Sequence, residues 1–342
     1  MDAYSQLKPL HHADRLMALS EGIEPAPVHV QLILSDLCNQ DCHFCAYRMS
    51  GGLSTELFAA GGNHNPNRKI NTKKALDIVR ECANMGVKAI QFTGGGEPTV
   101  HPDFLMILET AQAHGMHTGL VTNGVKLHAD SAAVQNLDWI RISVDAGTPE
   151  TYMSIRRVNL LHWNKVWANI EQLRGFDGHF GVGFVVTNEN YSELPEMARR
   201  CVEYRVPYLR IGAVFSKMGM LYYDSPTAIH KSIADAKKHQ THDFEIVDLF
   251  GRRLADLENT SPEFSFCGYQ YFTTYIGADL NVYRCCNTAY TKHGLLDNLN
   301  DTRLADISRD NFDARSCEFC QFLGQNRAIN GMLHVPQDVD FV

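Results

Sequence analysis

Apolar and polar positions change period several times along this chain, and the changes mark its elements. Residues 4–20 carry Leu7, Leu10, Met17 and Leu19 on one side of an amphipathic helix, closed by Gly22, Pro25 and Pro27. The run 28–34 is almost continuously apolar, as a buried strand reads. Ala75, Ile78, Val79 and Cys82 then recur at helical spacing, predicting a helix from Asn71 or Thr72, either of which can cap it, to about Met85. From there strands at 87–92, 117–122, 139–146, 180–187 and 208–215 alternate with helices at 104–113, near 131–136, 163–173 and 194–204. Repeated strand–helix steps imply parallel strands with helical crossovers, covered on both faces, as an open or closed barrel. Ligands of such a sheet sit at the C-terminal ends of its strands.

Two stretches break the alternation. Residues 48–68 are polar and glycine-rich, and so long an irregular segment reads as a substrate-facing lid or as disorder. Residues 231–239 and 247–256 read as helices that connect two domains. Beyond them the pattern becomes strand and turn, with a β-type run at 271–276 and a hairpin turn at 279–281. The expected division is a helical preface (1–27), a barrel (28–225), a helical connector (226–260), a small β-hairpin-plus-helix module (261–325) and an irregular tail (326–342). The tail either folds back over the barrel mouth or frays.

The chemistry lies where strands end. Cys38, Cys42 and Cys45 follow the first strand at the spacing C-x3-C-x2-C. Three thiolates on one loop suit three irons of a cubane and leave the fourth open; a zinc site, with His43 as its fourth ligand, is the competing reading. Cys267, Cys285, Cys317 and Cys320 supply four more thiolates, where zinc and iron–sulfur fit the spacing equally well. Cys286 is left over, as a core residue or a substitute ligand, and Cys82 and Cys201 read as core. Gly94, Gly95, Gly96 and Glu97 end the second strand, where glycines allow backbone to approach a ligand or merely make a tight turn. Ser143 and Asp145 share one strand face, and Arg156 follows; a cap or surface ion pair is the bland alternative for each, and Arg157 competes for the arginine's role.

Composition narrows this little. The chain has 342 residues, 44% hydrophobic and 20% charged, with a net charge of −8 and ten cysteines. Its size allows one large domain or two smaller ones. The net charge opposes nucleic acid and anionic membranes, although Arg68, Lys69, Lys73, Lys74, Arg156 and Arg157 could meet phosphate locally. Residues 1–8 show no apolar leader, and no run approaches the roughly 18 apolar residues of a membrane span. The expected setting is a reducing cytoplasm, with cysteines kept for metal.

On Cys38, Cys42, Phe44 and Cys45 the chain resembles the radical S-adenosylmethionine (SAM) superfamily. The glycine run Gly94-Gly95-Gly96-Glu97 looks like that family's Gly-Gly-Glu-Pro motif. The resemblance implies a partial (β/α)6 barrel of the TIM type, and a [4Fe-4S] cluster whose open iron binds SAM. Reduction would split SAM to methionine and a 5′-deoxyadenosyl radical that takes hydrogen from substrate. It also implies the SAM contacts: Tyr47 near the adenine, Gly94, Gly95, Gly96 and Glu97 at the ammonium, and Asn123, Ser143, Asp145 and Arg156, the last three as in sulfatase-maturing members. The second cysteine group resembles the shortened SPASM module called Twitch, as in an aminocyclitol-oxidising member, which implies an auxiliary [4Fe-4S] cluster on Cys267, Cys285, Cys317 and Cys320. Its expected partners are a small-molecule, peptide or nucleoside substrate and a flavodoxin- or ferredoxin-type reductant. Modification of a nucleoside or nucleic-acid base is the alternative within enzymes, and a non-catalytic zinc or iron–sulfur protein the alternative outside them.

Overall fold

The structure is a computed structural model that describes residues 5–52, 55–59, 62–258, 261–309 and 312–333. The N-terminal periodic stretch breaks at His12, giving a 3-10 turn, Lys8–His11, and then α1 (Ala13–Ser20). The apolar run after Pro27 forms β1 (His29–Ile33). Asn71 caps α2 (Thr72–Asn84), its Oδ1 accepting the Lys74 N–H at 3.2 Å. Then follow β2 (Ala89–Thr93), α3 (Phe104–Ala113), β3 (His117–Thr122), α4 (Ala132–Gln135) and β4 (Trp139–Ser143). Thr148 caps α5 (Pro149–Arg156) and Asn159 caps α6 (Leu160–Gln172). The alternation continues through β5 (His179–Val186), α7 (Leu194–Glu203), β6 (Tyr208–Ala213) and α8 (Pro226–Lys237).

β1 to β6 pair in sequence order and in parallel, as the alternation predicts. On β1, β2 and β4 the residues facing the helices, Val30, Leu32, Ile90, Phe92, Ile140 and Ile142, are sealed, at 0–1% exposure. Each such side chain contributes about 1.5–3 kcal/mol. The opposite positions, Gln31, Gln91, Thr93, Arg141 and Ser143, stay half-buried. The inner face is therefore a polar lumen, not the filled interior of a closed TIM barrel.

Three expectations change. Residues 245–258 do not form a purely helical connector: β7 (Glu245–Asp248) pairs in parallel with β6, and only then does α9 (Phe250–Glu258) begin. Val247 and Asp248 were drawn into the helical pattern because Phe250 and Leu254 repeat at i, i+4 directly after a four-residue strand. The cysteine module joins the same sheet. β8 (Thr273–Ile276) pairs in parallel with β1 and antiparallel with β9 (Asn281–Tyr283), which pairs with β10 (Leu295–Asn298). The result is one ten-stranded sheet in the order β10-β9-β8-β1-β2-β3-β4-β5-β6-β7. The hairpin falls where expected, with Leu280 at φ +64 in the turn.

Third, residues 326–333 are not irregular, because α10 (Leu323–Leu333) covers them. Leu16 of α1 packs with Val28, Tyr271, Phe272 and Ile329, so the N-terminal helix closes against the cysteine module. A fold-back of the tail beyond 333 lies outside the described residues. No helix among the described residues is long and apolar enough to cross a membrane.

Candidate functional site

β1 ends in a buried pair, Ser35 and Asp36, and delivers the first cysteine loop to the C-terminal end of the sheet. Arg48 holds that loop in shape. Its guanidinium donates to the carbonyls of Gln40 (3.0 Å) and Asp36 (3.2 Å) and to Asn65 Oδ1 (2.8 Å). Asn65 in turn accepts the Cys38 N–H and donates to the Cys38 carbonyl, both at 3.2 Å. From the other side Asp41 and His43 donate their N–H groups to the carbonyls of Arg156 and Ile155 at the end of α5. The segment 48–69 is thus a strap over the loop, where it is described. It also reaches the cysteine module, since Leu57 N–H donates to the Tyr290 carbonyl at 2.7 Å.

Burial pushes the Cys38 and Cys42 thiols up to about 11, with the neighbouring sulfurs adding to it and Arg48 opposing; Cys45 is raised in the same way. The backbone amides of Gln40 for Cys38, and of Tyr47 and Arg48 for Cys45, work against that rise. Asn123 Nδ2 lies 3.8 Å from Cys38 Sγ and donates to Asn39 Oδ1 at 2.7 Å. Three soft donors in one another's field, met by N–H groups, fit an iron–sulfur cluster, whose binding would displace the thiol protons. His43 does not join them. Its Nε2 sits 3.7 Å from Glu189 Oε2 and its ring stands edge-on to Phe44. Among the described residues no three His, Cys, Asp or Glu side chains form a group that could hold one metal ion.

The other predicted contacts gather around this loop, but several have protein partners already. Glu97 is buried. Its Oε1 accepts Thr99 N–H (3.1 Å), Thr99 Oγ1 (2.6 Å) and Thr122 Oγ1 (2.6 Å), and its Oε2 accepts Asn123 N–H (2.7 Å). It braces the ends of β2 and β3 and keeps room at Oε2 for one more donor. The glycine run before it is required by close approach. A Cβ on Gly96 would lie 2.2 Å from the Leu37 carbonyl oxygen, and one on Gly95 2.4 Å from Asp36 Oδ1.

Asp145 and Arg156 form a buried ion pair with each other. Asp145, at φ +62, also accepts the Val185 N–H through Oδ1 at 2.7 Å. Arg156 donates further to Gln40 Oε1 (2.5 Å) and the Val144 carbonyl (3.2 Å). Burial works against the Arg156 charge, but the Asp145 carboxylate and the Cys42 sulfur outweigh it and raise its pKa. Asp145 and Arg156 tie β4 and α5 to the cysteine loop through Gln40. The Ser143 hydroxyl is half-buried and makes no hydrogen bond among the described residues. Tyr47 donates to or accepts from Tyr275 across 2.8 Å, inside an aromatic group with Phe58 and Tyr290. Arg157 pairs with exposed Asp41 at 3.0 Å.

The second cysteine group assembles from separate segments. Cys267, Cys317 and Cys320 are each raised first by burial, with Cys285 adding to all three and Cys267 to Cys317 and Cys320. Asn326 Nδ2 lies 3.8 Å from Cys320 Sγ, and His293 Nε2 lies 3.7 Å from Cys317 Sγ. Burial and then Cys285 raise Cys286, which also has Gln321 Nε2 at 3.4 Å and the opposing charge of Arg253. All ten cysteines are free, and Cys82 and Cys201 are core residues as expected.

The basic groups do not form one patch. Arg68 donates to Asp36 and to the Phe58 carbonyl, both at 2.7 Å. Lys73 pairs with Asp77 at 3.0 Å and Lys74 donates to the Leu299 carbonyl. With Lys69 they line an open groove of about 670 Å³ that also holds Asp77 and Asp279.

The residues missed in the sequence are the ones that shape the site: Arg48, Asn65, Gln40 and Asn190, whose Nδ2 donates to the Asp145 and Val185 carbonyls, both at 2.8 Å. Arg48, three residues after a cysteine triplet, was the one legible signal.

Comparison with known proteins agrees with this geometry. An S-adenosylmethionine-dependent nucleotide dehydratase of Flammeovirga pacifica is 32% identical over 170 residues, 48% of this chain and 55% of that one. Mycofactocin maturase MftC of Mycobacterium tuberculosis is 28% identical over 194 residues, 56% of this chain and 46% of that one. The chain thus spans about half the length of these curated relatives. Streptococcus suis SuiB bound to its precursor peptide SuiA shares the fold at a TM-score of 0.62, with 16% identity over 94% of this chain and 76% of that one. The anSMEcpe structure with bound AdoMet does so at 0.59, with 15% identity over 90% of this chain and 96% of that one. The model of the radical SAM superfamily matches residues 32–201, the stretch from β1 to α7 that carries the first cysteine loop, and the chain belongs to that superfamily.

Proposed function

We propose that this chain is an enzyme that binds SAM at a four-iron cluster on Cys38, Cys42 and Cys45 and removes hydrogen from an unactivated carbon of its substrate. When bound, cluster and SAM supply the chemistry: reductive cleavage to methionine and a 5′-deoxyadenosyl radical. One observation carries the reading. Three buried thiols on the loop after β1 raise one another's pKa, while His43 on the same loop is turned to Glu189.

The chain's own residues bind and orient. Arg48 and Asn65 fix the loop, and the Asp145–Arg156–Gln40 chain sets its height above β4. Ser143, Asn123, the backbone of Gly94, Gly95 and Gly96, and the free side of Glu97 would meet SAM, with Asp145 at its ribose, Arg156 at its carboxylate and Tyr47 along the edge. Cys267, Cys285, Cys317 and Cys320 would hold an auxiliary four-iron cluster. Four thiolates leave that cluster no open iron, so its part is electron transfer or shaping the site. Residues 28–258 would serve as the barrel and 261–333 as the auxiliary module, with a flavodoxin- or ferredoxin-type protein as reductant.

A peptide substrate is supported by the maturase among the relatives, and a nucleotide by the dehydratase. The test is anaerobic reconstitution followed by incubation with SAM and dithionite. Release of 5′-deoxyadenosine and methionine is expected. Iron incorporation without any SAM cleavage would overturn the reading.

A further inference from the structure

Four tyrosines pack between the first cysteine loop and the cysteine module, and their hydroxyls are not equally satisfied. Tyr290 donates to Asp36 Oδ1 and accepts the Ala278 N–H at 3.1 Å. Tyr283 donates to Asp279 Oδ2 at 2.7 Å and accepts from Asn281 Nδ2 at 3.2 Å. Both hydroxyls thus donate and accept. Tyr47 and Tyr275 have each other, at 2.8 Å, and no second hydrogen-bond partner among the described residues. Two hydroxyls bonded only to one another use one proton between them. The other O–H is left without an acceptor, which is uncommon for a buried phenol and costs its desolvation.

This pair stands on the lumen wall. Tyr275 is in register with Gln31 on β1, and Gln31 with Gln91 on β2, so its ring belongs to the polar inner face. Tyr47 meets it from the first cysteine loop, two positions after Cys45. Tyr275 is sealed, whereas Tyr47 is half-buried and so within reach of a molecule in the lumen. Phe58 and Tyr290 hold the Tyr47 ring, with centroids at 5.3 and 5.8 Å.

We propose that the Tyr47–Tyr275 pair is a hydrogen-atom donor that discharges the 5′-deoxyadenosyl radical when no substrate is present. The proposal rests on the SAM-cleaving reading above. A phenolic O–H bond is weaker than the alkyl C–H bond that replaces it. One C–H bond forms and one O–H bond breaks, giving 5′-deoxyadenosine and a neutral tyrosyl radical. The remaining phenolic hydrogen then crosses the 2.8 Å contact, so the two rings share the unpaired electron with no net change of bonds. One electron from the flavodoxin- or ferredoxin-type reductant and one proton from water restore the phenol. A substrate bound in the lumen gives up its own hydrogen first, and the pair is spared.

The test uses the full chain, reconstituted anaerobically and exchanged into thiol-free D2O, with SAM and titanium(III) citrate but no substrate. Phenolic hydrogens exchange with solvent and carbon-bound ones do not. Most of the 5′-deoxyadenosine released should therefore carry one deuterium. Freeze-quenched samples should show a tyrosyl radical by EPR, narrowed by ring-deuterated tyrosine. Tyr47→Phe with Tyr275→Phe should abolish both the deuterium and the radical signal. Tyr290→Phe, whose hydroxyl is committed to Asp36, should keep both. Circular dichroism and iron content establish that each variant is folded. Undeuterated product from the unaltered protein overturns the proposal without any variant. So does deuterium that survives the double substitution, or that is lost with Tyr290→Phe. Release of undeuterated 5′-deoxyadenosine removes the tyrosine donor alone; no release at all removes the SAM-cleaving reading and this proposal with it.

Discussion

The two cysteine sites contain the same donor atoms but are built differently. Cys38, Cys42 and Cys45 lie within eight positions at the end of a central strand, fastened by a buried arginine, an asparagine and the backbone of α5. Cys267, Cys285, Cys317 and Cys320 come from segments up to 53 positions apart, joined across the sequence by a Phe266–Asp313 bridge, the Arg284–Gln270 hydrogen bond, the Tyr269–Phe322 stack and contacts from Asn326 and His293. The first site is closed within one local loop; the second draws its donors from three separate segments, so anything its sulfurs bind adds a long-range cross-link. They also differ in charge: three thiols face Arg48 and Arg156, whereas Arg284 faces Cys267 and Cys317. A cation-flanked, three-donor site suits exchangeable ligand chemistry, and a four-donor site suits a closed structural or electron-carrying centre.

The largest test removes the first site. With Cys38, Cys42 and Cys45 all changed to Ala, iron should fall from about eight to about four per chain, at four per cubane, and SAM cleavage should vanish. Iron retained in full would place the SAM site elsewhere. Next, Cys317→Ala with Cys320→Ala should also halve the iron while 5′-deoxyadenosine still forms slowly without substrate. Hydrogen exchange should rise across 261–333 far more than the triple variant raises it across 28–50. Equal protection losses would erase the contrast between the sites.

A smaller effect is expected for the brace. Asp145→Ala leaves Arg156 buried without its carboxylate, at a cost of about 3–5 kcal/mol, read as a lower melting temperature in both metal-free and reconstituted protein. An unchanged melting temperature would mean that the pair opens to solvent. The smallest effect sharpens the ligand set: Cys286→Ser should leave iron and spectrum unchanged, and a loss of about four irons would make it a ligand.

The barrel strands, the cap at Asn71 and the place of the first cysteine loop after β1 were legible because each is written in local spacing. The brace was not. Gln40 and Arg156 are 116 positions apart, and nothing local shows that Arg156 reaches both Gln40 and Asp145. β7 was hidden because four residues with a single strand neighbour carry little periodicity of their own. The inner-face Arg141 was invisible for a related reason: a charge on an alternating strand reads as solvent-facing until the sheet curls.

The parallel pairing of β1 with β8 has a consequence for biosynthesis. His29 is in register with Thr273, so the strand that carries the first cysteine loop keeps one edge unpaired until the ribosome has added a further 244 residues. At about 5–20 residues per second that interval lasts on the order of 10–50 s. Throughout it, β1 offers an open edge to other nascent chains and three adjacent thiols to any oxidant or stray metal. Production yield should therefore respond to chaperone supply and to slowed translation before β8 more than to changes in the finished protein.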